Sequence, residues 1–147
     1  MATVNSPVFG ASGALGAELG TLATTLAGAK VHLLNSPYVP LSNALPADLL
    51  AHEVTAAGYA PQTVTAFTGP FNDQSGQRYY HSGTLIFNST DPVGATVSSG
   101  WLENAGGSPY LYFTFDPPLL LGGPVGANIV MDVEITGVIT GKVEVVA

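Results

Sequence analysis

The stretch Ala127-Asn128-Ile129-Val130-Met131-Asp132-Val133-Glu134-Ile135-Thr136 decides the fold class. Ile129, Met131, Val133 and Ile135 alternate with Val130, Asp132, Glu134 and Thr136, the period-two pattern of a strand with one buried and one more polar face. Gly137 interrupts this run, and Val138 to Val146 follows with a second break at Gly141. The two runs are therefore expected to pair as a bulged hairpin or a bent terminal strand.

Upstream the same texture recurs. Tyr79 to Phe87 alternates along its length, placing Tyr79, His81, Gly83, Leu85 and Phe87 on one face and Tyr80, Ser82, Thr84 and Ile86 on the other. Thr96 to Glu103 and Tyr110 to Phe115 flank the loop Asn104 to Pro109, whose Gly106-Gly107 supplies the positive φ of a hairpin turn. Lys30 to Asn35 and Gln62 to Phe67 add two strands. Pro46 to Glu53 alone reads as helix in this region, with Pro46 opening the first turn, Asp48 near its positive end and Leu49 and Leu50 facing inward. The sum is an all-β chain, an antiparallel β-sandwich or jelly-roll-like body of about seven to eight strands over residues 30–147.

Residues 1–29 form an Ala/Gly/Leu-rich N-terminal arm or short helix. Leu15, Leu19, Leu22 and Leu26 recur at spacings of 4, 3 and 4, an apolar helical stripe. Gly13, Gly16 and Gly20 each cost such a helix roughly 1 kcal/mol relative to Ala, so the arm would be marginal unless packed.

The charge balance narrows the function. Three basic residues, Lys30, Arg78 and Lys142, stand against ten acidic ones for a formal net charge of -7, which leaves no basic surface for nucleic acid. Only 9% of residues are charged, against roughly 25% in an ordinary soluble domain, so neighbouring chains are expected to cover part of the surface. The absence of cysteine removes disulfides and thiolate chemistry. Polar residues interrupt the apolar window from Ala11 to Ala29, making it a poor membrane span, and no basic region precedes it as an export signal would require.

Catalytic patterns are missing. His32, His52 and His81 are isolated from one another, and His52-Glu53 has no second histidine a helical turn on, so no metal set forms locally. Gly94 to Gly100 contains Ser98 and Ser99 but leads into Trp101 on a strand rather than into a helix, unlike a nucleophile elbow. Asp132 and Glu134 read as a solvated stripe, and Phe71 to Gly76 lacks the alternating acids of a calcium loop. The expectation is a protein that is not an enzyme and holds no cofactor or metal.

The order of short anchors along residues 30–147 resembles small β-rich structural proteins of tailed phages, of the head decoration, cement or tail-appendage type. The residues concerned are Val31 to Asn35 followed by Pro37 and Pro40, then Ala47 to Leu50 leading to Ala57-Gly58-Tyr59-Ala60. Phe67 to Pro70 with Asp73 and Gly76, and Gly83-Thr84-Leu85-Ile86-Phe87, come next. Gly100-Trp101, Gly106-Gly107, Tyr110-Leu111-Tyr112 and Phe115-Asp116-Pro117-Pro118 complete the set ahead of the Ile129 to Ile135 strand. The charged turn usual before the penultimate strand is replaced by Gly122-Gly123-Pro124.

The resemblance implies a non-catalytic virion protein, assembled in the host cytoplasm, that stabilises a phage head by bridging shell subunits. Its partners would be itself, as a homotrimer, and the major capsid protein. Candidate interface residues are Leu15, Leu19, Leu22 and Leu26 in the arm and Leu119, Leu120 and Leu121 in an apolar loop. The alternative is a tail or fibre module contacting host-surface carbohydrate through Trp101, Tyr110 and Tyr112.

Overall fold

The β-branched and aromatic runs become strands, and Gly, Pro and Asn close them. The structure, a computed structural model, describes residues 2–5, 26–41, 43–72, 74, 78–135 and 140–146. In chain order the elements are β1 (Ala2–Asn5), β2 (Ala29–Asn35), α1 (Pro46–Ala51), β3 (Gln62–Val64), β4 (Thr68–Asn72) and β5 (Arg78–His81). They continue with β6 (Leu85–Phe87), β7 (Ala95–Glu103), β8 (Pro109–Leu121), β9 (Asn128–Ile135) and β10 (Thr140–Val146).

Two antiparallel sheets face each other. One runs β1-β10-β9-β5-β4 with β6 also paired to β9, and the other runs β3-β2-β7-β8. The expected terminal pair is present, with β9 and β10 in register from Glu134 opposite Thr140 to Asn128 opposite Val146. The β7–β8 hairpin is present too. An all-β sandwich is the architecture, and no helix among the described residues is long and apolar enough to cross a membrane.

The core between the sheets takes Val31, Leu33, Val97, Leu102 and Phe113 from one sheet and Leu85, Phe87, Ile129, Met131 and Val133 from the other. β2 and β7 are buried on both faces: His32, Leu34 and Trp101 look away from the main core. The chain leaves β2 after Asn35, turns through α1 and returns, so this excursion roofs the outer side of the four-stranded sheet. Under it Leu34, Leu49 and Trp101 make a second core with Tyr38, Ala44 and Tyr112 packed against it.

Four local departures from the expected pattern have physical causes. Tyr79 to Phe87 is two strands, because β9 pairs His81 with Glu134 but Leu85 with Met131. Four steps on one side oppose three on the other, and the extra residue is a bulge over Ser82 to Thr84. A one-residue offset exchanges faces, so Tyr79 and His81 lie on the solvent side while Leu85 and Phe87 enter the core.

Secondly, β8 runs on to Leu121, and Leu119 to Leu121 are strand rather than loop. Two steps along β7, from Val97 to Ser99, correspond to five along β8, from Leu119 back to Thr114. Asp116, Pro117 and Pro118 ride in this excess on a sheet edge, where an absent N–H is tolerated. Thirdly, the helix ends at Ala51, since Glu53 must bridge to Leu34 and rejoin β2. Lastly, β1 and β4 form where the sequence pattern shows no strand.

Candidate functional site

The excursion between β2 and β3 is fixed to the sheet by polar contacts at its stem. Ser98 and Ser99 each donate their hydroxyl to the Tyr38 carbonyl at 2.6 Å, both turned to one side by the register shift in β7. The Ser36 N–H reaches the Thr96 carbonyl, the Asn35 N–H donates to the His52 carbonyl, and the Val54 N–H donates to the Leu33 carbonyl.

Beneath the stem lies a charge cluster. His32, 5% exposed, sits with Nδ1 at 3.0 Å from Glu53 Oε2 and Nε2 at 2.6 Å from Glu103 Oε2. Both ring nitrogens face carboxylates, so the cationic ring, with a donor on each nitrogen, is the form that fits. Burial pulls its pKa down, yet the bonds to Glu53 and Glu103 and their charges outweigh that and raise it above the ordinary histidine value. The ring stacks on Trp101 with centroids 4.3 Å apart and planes at 11°.

Tyr59 donates to Glu53 at 2.9 Å and accepts the Leu33 N–H at 2.9 Å. Burial holds the Tyr59 hydroxyl well above the usual tyrosine range, so it remains a donor. The cluster thus ties β2, the end of β7 and the returning segment at one point. With both His32 nitrogens engaged it has no free ligand position, and no group of metal-ligand geometry occurs among the described residues.

Outward of this core the excursion holds a cavity of about 400 Å³ lined by Tyr38, Leu41, Asn43, Ala44, Leu45, Asp48 and His52. That lies within the range of sites that accept a small ligand or a partner's side chain. The Tyr38 and His52 rings stack at 3.8 Å with planes 3° apart, forming one wall. His52 Nδ1 lies 2.9 Å from the Asp48 carbonyl, which only accepts, so Nδ1 carries the proton and a neutral ring keeps Nε2 as acceptor. The Asp48 carboxylate accepts the Leu45 N–H at 3.3 Å and holds the helix start. Burial, followed by the Asp48 charge, raises the Tyr38 pKa.

Leu41 and Leu45, which line the cavity, are 72% and 64% exposed, and Val39 at 43% and Leu50 at 59% are exposed on the same excursion. Four large aliphatic side chains are thus open to solvent on one short excursion. Leu50, expected to face inward, points to solvent, because a helix of six residues covers the sheet with Leu49 alone.

The sequence-derived interface residues separate. Leu15, Leu19 and Leu22 lie outside the described residues. Leu26 is fully buried in this chain's own core, packed where the segment before β2 closes the sandwich, so it is corrected to a core residue. Leu121 is also fully buried and Leu119 packs against the core, because strand alternation turns both inward. Only Leu120 is open to solvent, at 39%.

The aromatics assigned to carbohydrate contact are corrected likewise. Trp101 is 1% exposed beneath the excursion, and Tyr110 and Tyr112 are half-buried, packed against the two cores. The missed residues are the apolar rim and the Tyr38–His52 wall. Leu41 and Leu45 beside Pro40 and Pro46 were the available signal, since prolines at both ends mark an exposed loop in which leucine needs a reason.

Ser82 lies beside His81 and Asp132 but is not a triad nucleophile. Its hydroxyl donates to the Gly83 carbonyl at 2.8 Å, with Asp132 Oδ1 at 3.2 Å, and accepts the Val133 N–H at 3.0 Å. The histidine in turn contacts Asp132, through Nδ1 at 3.2 Å, rather than the serine. Comparison with family models, curated proteins and solved structures finds no match to this chain.

Proposed function

We propose that the protein is a non-catalytic structural protein of a virion, a capsid decoration or cement protein of the tailed-phage type. It docks through the β2–β3 excursion onto the major capsid protein, an apolar segment of which fills the cavity. The observation that carries this is a preformed cavity lined in part by the exposed Leu41 and Leu45, on a rigidly anchored loop that also exposes Val39 and Leu50. Each leucine taken from water into a well-packed contact contributes about 1.5–3 kcal/mol, enough for useful affinity from a few side chains.

Leu120, with Val93 at 82% and Val125 at 67% exposure near it around the Gly122–Gly126 turn, supports contact between copies in a homotrimer. Binding only to the assembled shell lowers the free energy of that state by mass action, which is how a passive cement works.

Decoration-free heads incubated with the protein and sedimented should carry it saturably and disrupt at a higher temperature. The double variant Leu41→Ser, Leu45→Ser should bind at least tenfold more weakly while its own Tm stays within a few degrees, both sites being exposed. Equal shell melting with and without the protein would sink the proposal.

A further inference from the structure

The pairing of β4 with β5, which sets Phe71 opposite Tyr79, brings three rings together on the solvent side of the six-stranded sheet. Phe71 on β4 is 42% exposed, and its ring lies 5.7 Å from Tyr79 and 5.1 Å from His81, centroid to centroid. Tyr79 and His81 are 6.4 Å apart, so the three form a closed triangle of tilted rings. Tyr80, between them in sequence, packs against the core instead.

The histidine is held by Nδ1 at 3.2 Å from Asp132 Oδ2, and Asp132 Oδ1 lies 3.2 Å from the Ser82 hydroxyl. The carboxylate side chain is one-third exposed and has acceptor lone pairs beyond these two contacts.

We propose that this face is a binding platform for a neutral polysaccharide. Aromatic faces carry negative charge density and attract the polarised C–H bonds on one side of a sugar ring. A half-exposed ring flanked by a fixed carboxylate and an imidazole offers what a saccharide presents: an apolar face bordered by hydroxyls. Three adjoining rings match one or two sugar units in area. Asp132 and Glu134 on this strand, together with a net charge of -7, outweigh Lys142, which stands in register with Asp132 on β10, and repel acidic polymers, so the class is neutral hexoses or N-acetylhexosamines. Unlike the docking rim, this surface belongs to the opposite sheet, and the inference stands independently of the capsid assignment.

Affinity electrophoresis of the full chain in native gels containing galactomannan, dextran or hydroxyethyl cellulose tests the platform, with alginate as the acidic control. Retardation by at least one neutral polymer is expected, weakening at least tenfold in Phe71→Ala and in Asp132→Asn. Ile86→Ala, exposed on the same sheet face outside the triangle, should bind as wild type does. Melting curves identify folded variants, and because Phe71 and Asp132 are both partly exposed, at least one of the two should fold normally. No retardation by any neutral polymer, equal retardation of Phe71→Ala, or alginate binding as strong as neutral binding overturns the proposal.

Discussion

His32 is the residue on which most of the polar structure turns. Its pKa is raised in the folded protein, so the native state binds the proton more tightly than the unfolded chain does. The resulting stability is fully present below the ordinary histidine value of about 6.5 and fades as pH rises through the raised folded value. Above it, one ring nitrogen would turn a lone pair toward a carboxylate. Thermal melts of the wild type should therefore show Tm falling as pH rises above about 6.5. His32→Gln should start lower and change little over that rise. A wild-type curve as flat as the variant's would remove the cluster from the stability account. Gly100, opposite Leu33 on the neighbouring strand β7, lets β2 and β7 approach at the cluster: a Cβ there would meet the His32 carbonyl oxygen at 2.5 Å and the Phe113 ring.

Among elements, the interruption between β5 and β6 illustrates what was legible and what was not. The alternation from Tyr79 to Phe87 marked strand correctly, but a period-two pattern does not reveal an inserted residue, because aromatic and aliphatic side chains occupy either face of a sheet. Partner register decides, and that is a non-local property. The same holds for the Leu119 to Leu121 run, which was expected as a loop although an edge strand accommodates the prolines before it. In contrast, Ile129 to Ile135 was readable because its acids fall on one face only. The docking rim was half legible: Pro46 and Asp48 announced the helix start, but which leucine faces the sheet depends on how soon Glu53 must return to Leu34.

The interruption also carries an expected energetic effect. Ser82 accepts the Val133 N–H in place of a ladder carbonyl, so Ser82→Ala should leave that donor unsatisfied and cost about 1–3 kcal/mol in urea denaturation. A change under a few tenths would show that water replaces the hydroxyl without loss.

At the scale of the molecule, β1 is the edge strand of the six-stranded sheet and covers β10. An N-terminal deletion through residue 29 would remove Leu26 and Ala29 from the core as well as this strand, so it confounds folding with docking. Removing residues 1–5 alone should expose the β10 edge while leaving Leu26 and Ala29 in the chain. Such a chain is expected to associate with rising concentration in sedimentation velocity, since an uncovered strand edge recruits other strands. A monodisperse profile matching the full chain's, whatever its oligomeric state, would show that β1 does not protect that edge.

The two outer faces of the sandwich lie on opposite sheets with only a packed core, about 10 Å from sheet to sheet, between them. Engaging one face therefore leaves the other unshielded and pointing the opposite way, with no hinge between them to blur the direction. Copies ranged on a regular lattice would hold their free faces at set intervals. A contact of only millimolar strength per copy then acts through avidity, with neighbouring copies supplying the effective concentration for rebinding.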